Sequence, residues 1–464
     1  MRTIAIIGSG IAGLLTAHGL VRAGHKVTLF SDRTADQWRY ACRPTGTAAR
    51  FDPALAYERE LGLDHWSAEA PRVQGVHLTF CPEPGNQLLT LTGRVAAPAM
   101  AIDVRLQSHR WMNDLVARGG ELVIEAVNVA RLDAIAAEHD LTVVAAGKAE
   151  LSALFERDAA RSVYDKPQRN LTLVVTKGGR QGFDGVPFLP VKFNLFGSEG
   201  EAFWVPSHHR EVGPSFNLLF EAKPGSRMDV FEKAKSGHEV LDLPKKVIRD
   251  LMPWDHDWAK DMELADENGW LVGKVTPTVR RPVGRLPSGR VVTCVGDTAM
   301  LFDPIGGQGA NNGTRMAKHL VASVAEHGDR PFDAAWMTDT FERFHAGHGG
   351  AAYTFNNILL EPITDAGKEL LIAQYGSDGT RDDGRQAVAD AFSRNFIEPM
   401  SLTPLFNDLP AARAFIARTT GKTWVRSALA GRLGIARAQL RQKLGMSAGH
   451  PATAPDATPR VVLG

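Results

Sequence analysis

The first thirty or so residues constrain this chain more than any other stretch. Thr3–Ile7 (TIAII) is a short, wholly apolar run, the pattern of a parallel strand buried on both faces. Gly8-Ser9-Gly10-Ile11-Ala12-Gly13 follows, and Leu14, Leu15, Ala17, Leu20 and Val21 then recur at helical spacing. After Gly24 a second strand begins at Lys26–Phe30 (KVTLF). Strand, GxGxxG, helix and strand in this order form the setting that a dinucleotide fingerprint requires. Gly8 permits the tight turn, Gly10 lets the backbone approach a pyrophosphate, and Gly13 lets the helix pack closely on the strand. The helix N-terminus, with Ile11 and Ala12 in its first turn, faces the phosphates. An acidic residue is expected at the end of the second strand, where Ser31 stands; Asp32 comes one place later. We read Asp32 as the ribose-hydroxyl partner with Arg33 beside it, the other reading being a turn residue that caps the next segment.

Composition narrows the class. At 464 residues the length corresponds to about three domain-sized units. The net charge of +1 is too balanced for the basic footprint of a nucleic-acid binder. The cysteines Cys42, Cys81 and Cys294 lie far apart without a CxxC, which excludes a disulfide scaffold and cysteine-type zinc sites and suits a reducing cytosol. No run approaches the length of a membrane span, and the N-terminus enters a strand pattern at once rather than a signal peptide. A cytoplasmic protein without a membrane span is expected.

A second glycine-bearing patch repeats the logic of the first. Val291–Val295 is an apolar strand ended by Gly296-Asp297, Pro304–Gly309 is a glycine-rich loop, and a helix runs on through Met316, Leu320 and Val321. A strand, a carboxylate at its end, then backbone N–H groups and a helix N-terminus point at a ligand. A helix dipole aimed at a bound ligand stabilises negative charge on it.

The pairing of an N-terminal GxGxxG with a late GD…DPxxGQGxNxG resembles the FAD-dependent aromatic hydroxylase and monooxygenase superfamily. The resemblance implies that Asp297 contacts the ribityl chain. It also implies that the loop Pro304–Asn312, with Pro304, Gly307, Gln308, Gly309, Ala310 and Asn311, lies along the isoalloxazine. Hydroxylases that reduce their own flavin carry an Asp-Gly pair after a mid-chain strand, and here Ala146 occupies the aspartate's place before Gly147. No second GxGxxG follows a strand, so no separate nicotinamide domain is visible. Further segments are similar to the styrene and indole monooxygenases, two-component FAD epoxidases: Val27–Arg33, Ala101–Gly120, Asp140–Lys148, Asp165–Arg169, Gly296–Asn311 and Thr354–Leu360. That likeness makes Arg105 a candidate FAD contact, against the alternative of an arginine on a helix surface.

The resemblance implies a mechanism. A partner NADH-dependent flavin reductase supplies reduced FAD, which reacts with O₂ to a flavin C4a-hydroperoxide, and the distal oxygen epoxidises an aromatic alkene or indole-like substrate. The cofactor carries the hard chemistry, so the protein must orient the substrate in a dry apolar pocket. Where the epoxidases carry an asparagine-containing active-site loop, this chain has Gly46 and Thr47 within Arg43–Arg50. These two are the candidate catalytic-pocket residues, and loss of the amide puts styrene itself in doubt. Phe203, Trp204, Phe216 and Phe220, on the alternating strands Ala202–Val205 and Phe216–Phe220, either line a cavity for an aromatic ligand or fill the core of a sheet.

The expected fold class is α/β: a Rossmann-like FAD-binding domain with an inserted antiparallel β-sheet substrate domain and a C-terminal helical region. The discontinuous FAD domain is expected over 1–75, 95–165 and 272–350, and the substrate domain over 76–94 and 166–271. Residues 351–445 read as helical and 446–464 as a disordered tail. Trp424–Leu444 is an apolar–basic helix that docks a reductase, touches a membrane surface or packs by one face with its arginines solvated. His208-His209, His345-x-x-His348 and Asp255-His256-Asp257 sit in no recognised ligand set, so no metal is expected. Two other functions compete: a self-sufficient NAD(P)H-dependent aromatic hydroxylase and a non-catalytic flavin-binding protein. A flavin halogenase is disfavoured because no WxWxIP segment occurs. A homodimer is compatible with all three readings.

Overall fold

The computed structural model describes residues 1–46, 49–179, 182–183 and 185–443, with side chains through residue 440. Thr47, Leu444 and the expected tail lie outside the described residues. The chain divides into two compact units. The first comprises Met1–Trp66, Ile102–Gln168 and Lys274–Asn357; the second comprises Ser67–Ala101, Arg169–Gly273 and the chain from Ile358 onward.

In the first unit the apolar run Thr3–Ile7 is the middle of a six-stranded sheet. It pairs in parallel with Lys26–Ser31 on one side (Ile4 opposite Val27) and with Leu141–Val144 on the other (Ile6 opposite Val143). Glu121–Ile124 extends the first edge in parallel, and Val291–Cys294 the second. Gly284–Arg285 closes that second edge antiparallel to Val291–Cys294. This is the doubly wound strand order, with the switch point at the C-terminal end of Thr3–Ile7 where the glycine turn sits. Ile4, Ile6, Val143 and Leu14 are fully buried, so the apolar runs are explained by cover on both faces.

The second unit is built on the hairpin Gly200–His209/Gly213–Ala222, in which Trp204 faces Leu218 and Ala202 faces Phe220. Asn170–Lys177 flanks it on one side and Pro190–Phe196 on the other, both antiparallel. A second hairpin, Val73–Cys81/Leu89–Ala101, joins through one parallel pairing, Leu78 opposite Phe193, which the expected all-antiparallel pattern did not contain. Helix Gly237–Leu251 shares a hydrophobic core with Trp204, Phe216 and Phe220. The helical segment read as a region of its own does not stand alone: from Ile358 onward it belongs with this sheet. Helix Gly384–Ile397 lies directly on Leu89–Ala101, where a Cβ on Gly93 would come within 2.3 Å of the Ala389 carbonyl oxygen. Gln386 Nε2 donates to the Thr92 carbonyl at 2.9 Å, and Arg94 Nη2 pairs with Asp390 at 2.7 Å.

Candidate functional site

The N-terminal turn is built for close approach. Gly8 has φ of +116°, and a side chain there would meet the Ala145 carbonyl oxygen at 2.7 Å. A Cβ on Gly13 would lie 2.0 Å from the Gly8 carbonyl oxygen, so helix Ile11–Arg22 sits hard against its own turn. Gly10 is different: a Cβ there would meet nothing within 4 Å. It is also the N-cap of the helix and offers no capping side chain, leaving the first-turn N–H groups of a positive helix end to an outside acceptor.

The late motif arrives at the same place. Val295 N donates to the Val144 carbonyl at 3.0 Å, and Thr298 Oγ1 donates to the Ala146 carbonyl at 3.0 Å. A Cβ on Gly296 would lie 2.8 Å from the Ala12 methyl, and one on Gly313 would lie 3.4 Å from it. The two glycine-bearing bends therefore converge within one unit. Asp303 is fully buried and accepts from Ile305 N at 3.2 Å, fixing the turn Pro304–Gly306. Gly307, with φ of +60°, then opens helix Gln308–His327, again without a side-chain cap. The Asp297 Oδ1 would stand 3.8 Å from a Cβ on Gly309, so its carboxylate overlooks this second helix start. Asp297 is exposed to solvent, although protein atoms crowd around its carboxyl. That desolvation holds its carboxyl above the usual carboxylate range, opposed by the Arg280 guanidinium.

Several predicted contacts turn inward instead. Asn311 accepts from Phe51 N at 2.8 Å and donates to the carbonyls of Ala49 (3.0 Å) and Gly307 (2.7 Å). Gln308 Nε2 donates to the Gly306 carbonyl at 2.8 Å. Both side chains brace the loop from within. Asn356, within Thr354–Leu360 but given no role from sequence, also braces it by accepting from Gly306 N at 3.1 Å.

At the other end, Ser31 is buried. Its hydroxyl meets Ser9 Oγ at 2.7 Å and donates to the Arg33 carbonyl at 2.6 Å, while Trp38 Nε1 donates to Ser9 Oγ at 2.8 Å. This network leaves Asp32 as the accessible carboxylate at the strand end. Arg33 grips it through Nε (2.9 Å) and Nη2 (3.1 Å), and Lys148 Nζ lies 3.9 Å away. The Arg33 guanidinium holds the Asp32 carboxyl below the usual range despite partial burial. Arg33 also donates to Cys42 Sγ at 2.9 Å and lies over the Trp38 ring at 4.9 Å. Arg105 is not the helix-surface arginine of the alternative reading: it is fully buried, because Asp103, the N-cap of Val104–Ala117, pairs with it through Nη2 at 2.7 Å. Its Nη1 donates to the Cys42 carbonyl at 3.4 Å. Cys42 is thus held by both arginines, a relation no local pattern in the sequence announces.

Gly46 is exposed, and among the described residues no hydrogen bond ties it to either patch; Thr47 lies outside them. In the second unit the four aromatics are buried. Trp204, Phe216 and Phe220 belong to the core shared with helix Gly237–Leu251, whereas Phe203 points to the opposite face and meets Phe193 at 4.8 Å. They are sheet-core side chains. Of these groups, His209 Nε2 bonds Asp266 at 2.6 Å and Asp255 pairs with the buried Lys192, while burial pushes His348 down to about 4. Among the described residues no group of side chains forms a metal site.

Residues 147–257 match the family described as "Styrene monooxygenase A putative substrate binding domain", and residues 6–35 match the NAD(P)-binding Rossmann-like domain. Styrene monooxygenases of Pseudomonas fluorescens and of a Pseudomonas species are each 28% identical over 406 residues, 86% of this chain and 93% of the relative. Among solved structures, a flavoprotein/dehydrogenase from Cytophaga hutchinsonii superposes with a TM-score of 0.58 at 12% identity, covering 89% of this chain and 98% of that one. A flavin-dependent brominase gives 0.55 at 14% identity, with 95% and 100% covered. These structural likenesses establish the fold alone. The cradle accommodates a dinucleotide on its own evidence, since two helix starts lack side-chain caps and Gly10 leaves open space before one of them. The matched substrate-binding domain and the sequence relatives make this chain similar to the styrene monooxygenases and support an FAD-dependent monooxygenase of that type.

Proposed function

We propose that this chain is the oxygenase of a two-component system, which receives FAD reduced by a separate NADH-dependent flavin reductase and uses O₂ to epoxidise an aromatic alkene or indole-like substrate. The observation that carries the reading is the convergence of Ala12 on Gly296 and Gly313, which joins both glycine motifs into one cradle. Ala146 in place of the aspartate, and the lack of a second GxGxxG, favour reduction elsewhere. The three unpaired cysteines agree with a reducing cytoplasm.

In this reading the N–H groups of Gly10, Ile11, Ala12 and Gly13 receive the pyrophosphate at the helix dipole. Asp32, steadied by Arg33 and Lys148, accepts from ribose hydroxyls. Arg105 and Cys42 shape the wall beside it. Asp297 accepts from the ribityl chain, and the backbone from Pro304 to Asn311 faces the ring, braced from behind by Asn311, Gln308 and Asn356. The second helix start, at Gly307–Ala310, favours negative charge on that ring. Bound in reduced form, FAD supplies the electrons that activate O₂.

The test is to give the purified protein chemically reduced FAD, O₂ and a panel of styrenes, indole and thioethers. Epoxide, indigo pigment or sulfoxide is expected. Complete conversion of O₂ to H₂O₂ without oxygenated product refutes the oxygenase reading. Rapid bleaching of bound FAD by NADH alone refutes the two-component part.

A further inference from the structure

The last described helix, Trp424–Lys443, is inside-out by the usual rule for surface helices. Its packed side is lined by small residues: a Cβ on Gly431 would lie 2.2 Å from the Ile372 carbonyl oxygen, and one on Gly434 would lie 2.2 Å from the Tyr375 ring. Tyr375 Oη donates to the Gly434 carbonyl at 3.1 Å, and Arg413, paired with Glu369, stacks on Trp424 at 3.9 Å. The helix is therefore firmly seated. Its large aliphatic side chains face away from that seat: Val425, Leu429, Leu433 and Leu440 are 52%, 57%, 50% and 59% exposed. At 3.6 residues per turn these four share one face, an arc of about 80°. On the same wheel Arg426 and Arg437 border one edge of the arc and Arg432 the other, and all three are exposed. No acidic residue occurs from Leu409 through Lys443, against eight lysines and arginines.

We infer that this helix is a membrane-surface element that lies along an anionic lipid headgroup layer, its Val425–Leu440 strip entering the acyl boundary. Charge complementarity selects the occupant: arginines on both margins of a straight aliphatic ridge match headgroup phosphates on either side of a shallowly inserted helix. The exposed ridge Val425, Leu429, Leu433 and Leu440 holds no aromatic anchor, the feature that carries much protein–protein energy. No described helix is long and apolar enough to cross a membrane, so the association is peripheral. The inference does not depend on the substrate or on the reductase.

Flotation of the full chain with vesicles tests it. With vesicles of phosphatidylcholine and phosphatidylglycerol at low salt the protein floats; with phosphatidylcholine alone it floats far less; and added salt releases it. The double variant L429Q/L433Q, altered only at exposed positions, loses roughly tenfold in partition per leucine. R426S/R437S loses about fivefold per arginine. Unchanged far-UV circular dichroism and FAD binding show that each variant is folded. Failure to float with anionic vesicles overturns the inference, as does flotation that neither variant weakens. Self-association or capture of a reductase through the same leucines, without vesicle binding, also overturns it and assigns the face to a protein partner.

Discussion

Ala12 fills the space that a side chain on Gly296 would need, a Cβ there coming within 2.8 Å of its methyl group. Residues nearly three hundred positions apart are in van der Waals contact at the start of helix Ile11–Arg22, and each carries its own glycine motif to the meeting point. One cradle rather than two separate glycine turns follows from that contact.

Gly10 and Gly13 separate binding from folding. Gly13→Ala forces a Cβ to 2.0 Å from the Gly8 carbonyl oxygen and is expected to cost about 1–3 kcal/mol, seen as a lower thermal midpoint. Gly10→Ala meets no protein atom within 4 Å, so its thermal midpoint without FAD stays close to that of the parent. FAD affinity, read by fluorescence quenching, nevertheless drops about tenfold or more as the methyl group enters the pyrophosphate's space. Equal destabilisation by the two substitutions contradicts this assignment.

Asp32 is expected to accept hydrogen bonds while ionised. Asp32→Asn lowers FAD affinity by about tenfold to a hundredfold, the range for losing a charge-assisted bond. Because Arg33 depresses the Asp32 pKa, the carboxylate persists below the ordinary range and its contribution fades only as pH falls through that lowered value. In Arg33→Ala the fade moves to higher pH. In a titration of FAD affinity from pH 7 to 3.5 the variant begins to lose affinity at higher pH than the parent, and superimposable curves count against the pairing.

The sheet unit hides a buried ion pair. Lys192 is 4% exposed and Asp255 fully buried; the Asp255 carboxylate also accepts from Asn194 Nδ2 at 2.7 Å. Asp255→Ala strands the lysine and Lys192→Met strands the carboxylate, so each is expected to destabilise this unit by about 3–5 kcal/mol, more than the double replacement Lys192→Met/Asp255→Leu, which removes both charges. Tryptophan fluorescence during urea unfolding reports it through Trp254 and Trp258, which lie beside the pair in sequence.

His18 gives a signed pH dependence. Burial lowers its pKa to about 4, with Nε2 against the Trp111 carbonyl at 2.9 Å. The folded protein keeps His18 neutral whereas the unfolded chain protonates near the ordinary value of 6.5. Its stabilising effect is whole above that value and is lost progressively as pH falls toward 4, by up to about 3 kcal/mol. His18→Gln flattens this part of the stability profile, measured by denaturant unfolding at pH 7, 5.5 and 4.5.

Local signals carried a good part of the architecture. The apolar run Thr3–Ile7, the GxGxxG bend and the strand Val291–Cys294 all appear where composition and spacing place them, because fully covered parallel strands and tight glycine turns leave marks in a few consecutive residues. Asp32 and Asp297 were likewise legible as carboxylates at strand ends. The tertiary structure alone decided which way side chains serve the site. Arg105 is buried by its pairing with Asp103, Asn311 and Asn356 hold a loop from behind, and Cys42 links two arginines of different elements. The same holds for the last helix, where periodicity marks an amphipathic segment but glycine contacts with Ile372 and Tyr375 determine that leucines face outward. Periodicity records that a residue wants cover; which partner covers it depends on packing between segments far apart in the chain, where no short-range pattern reaches.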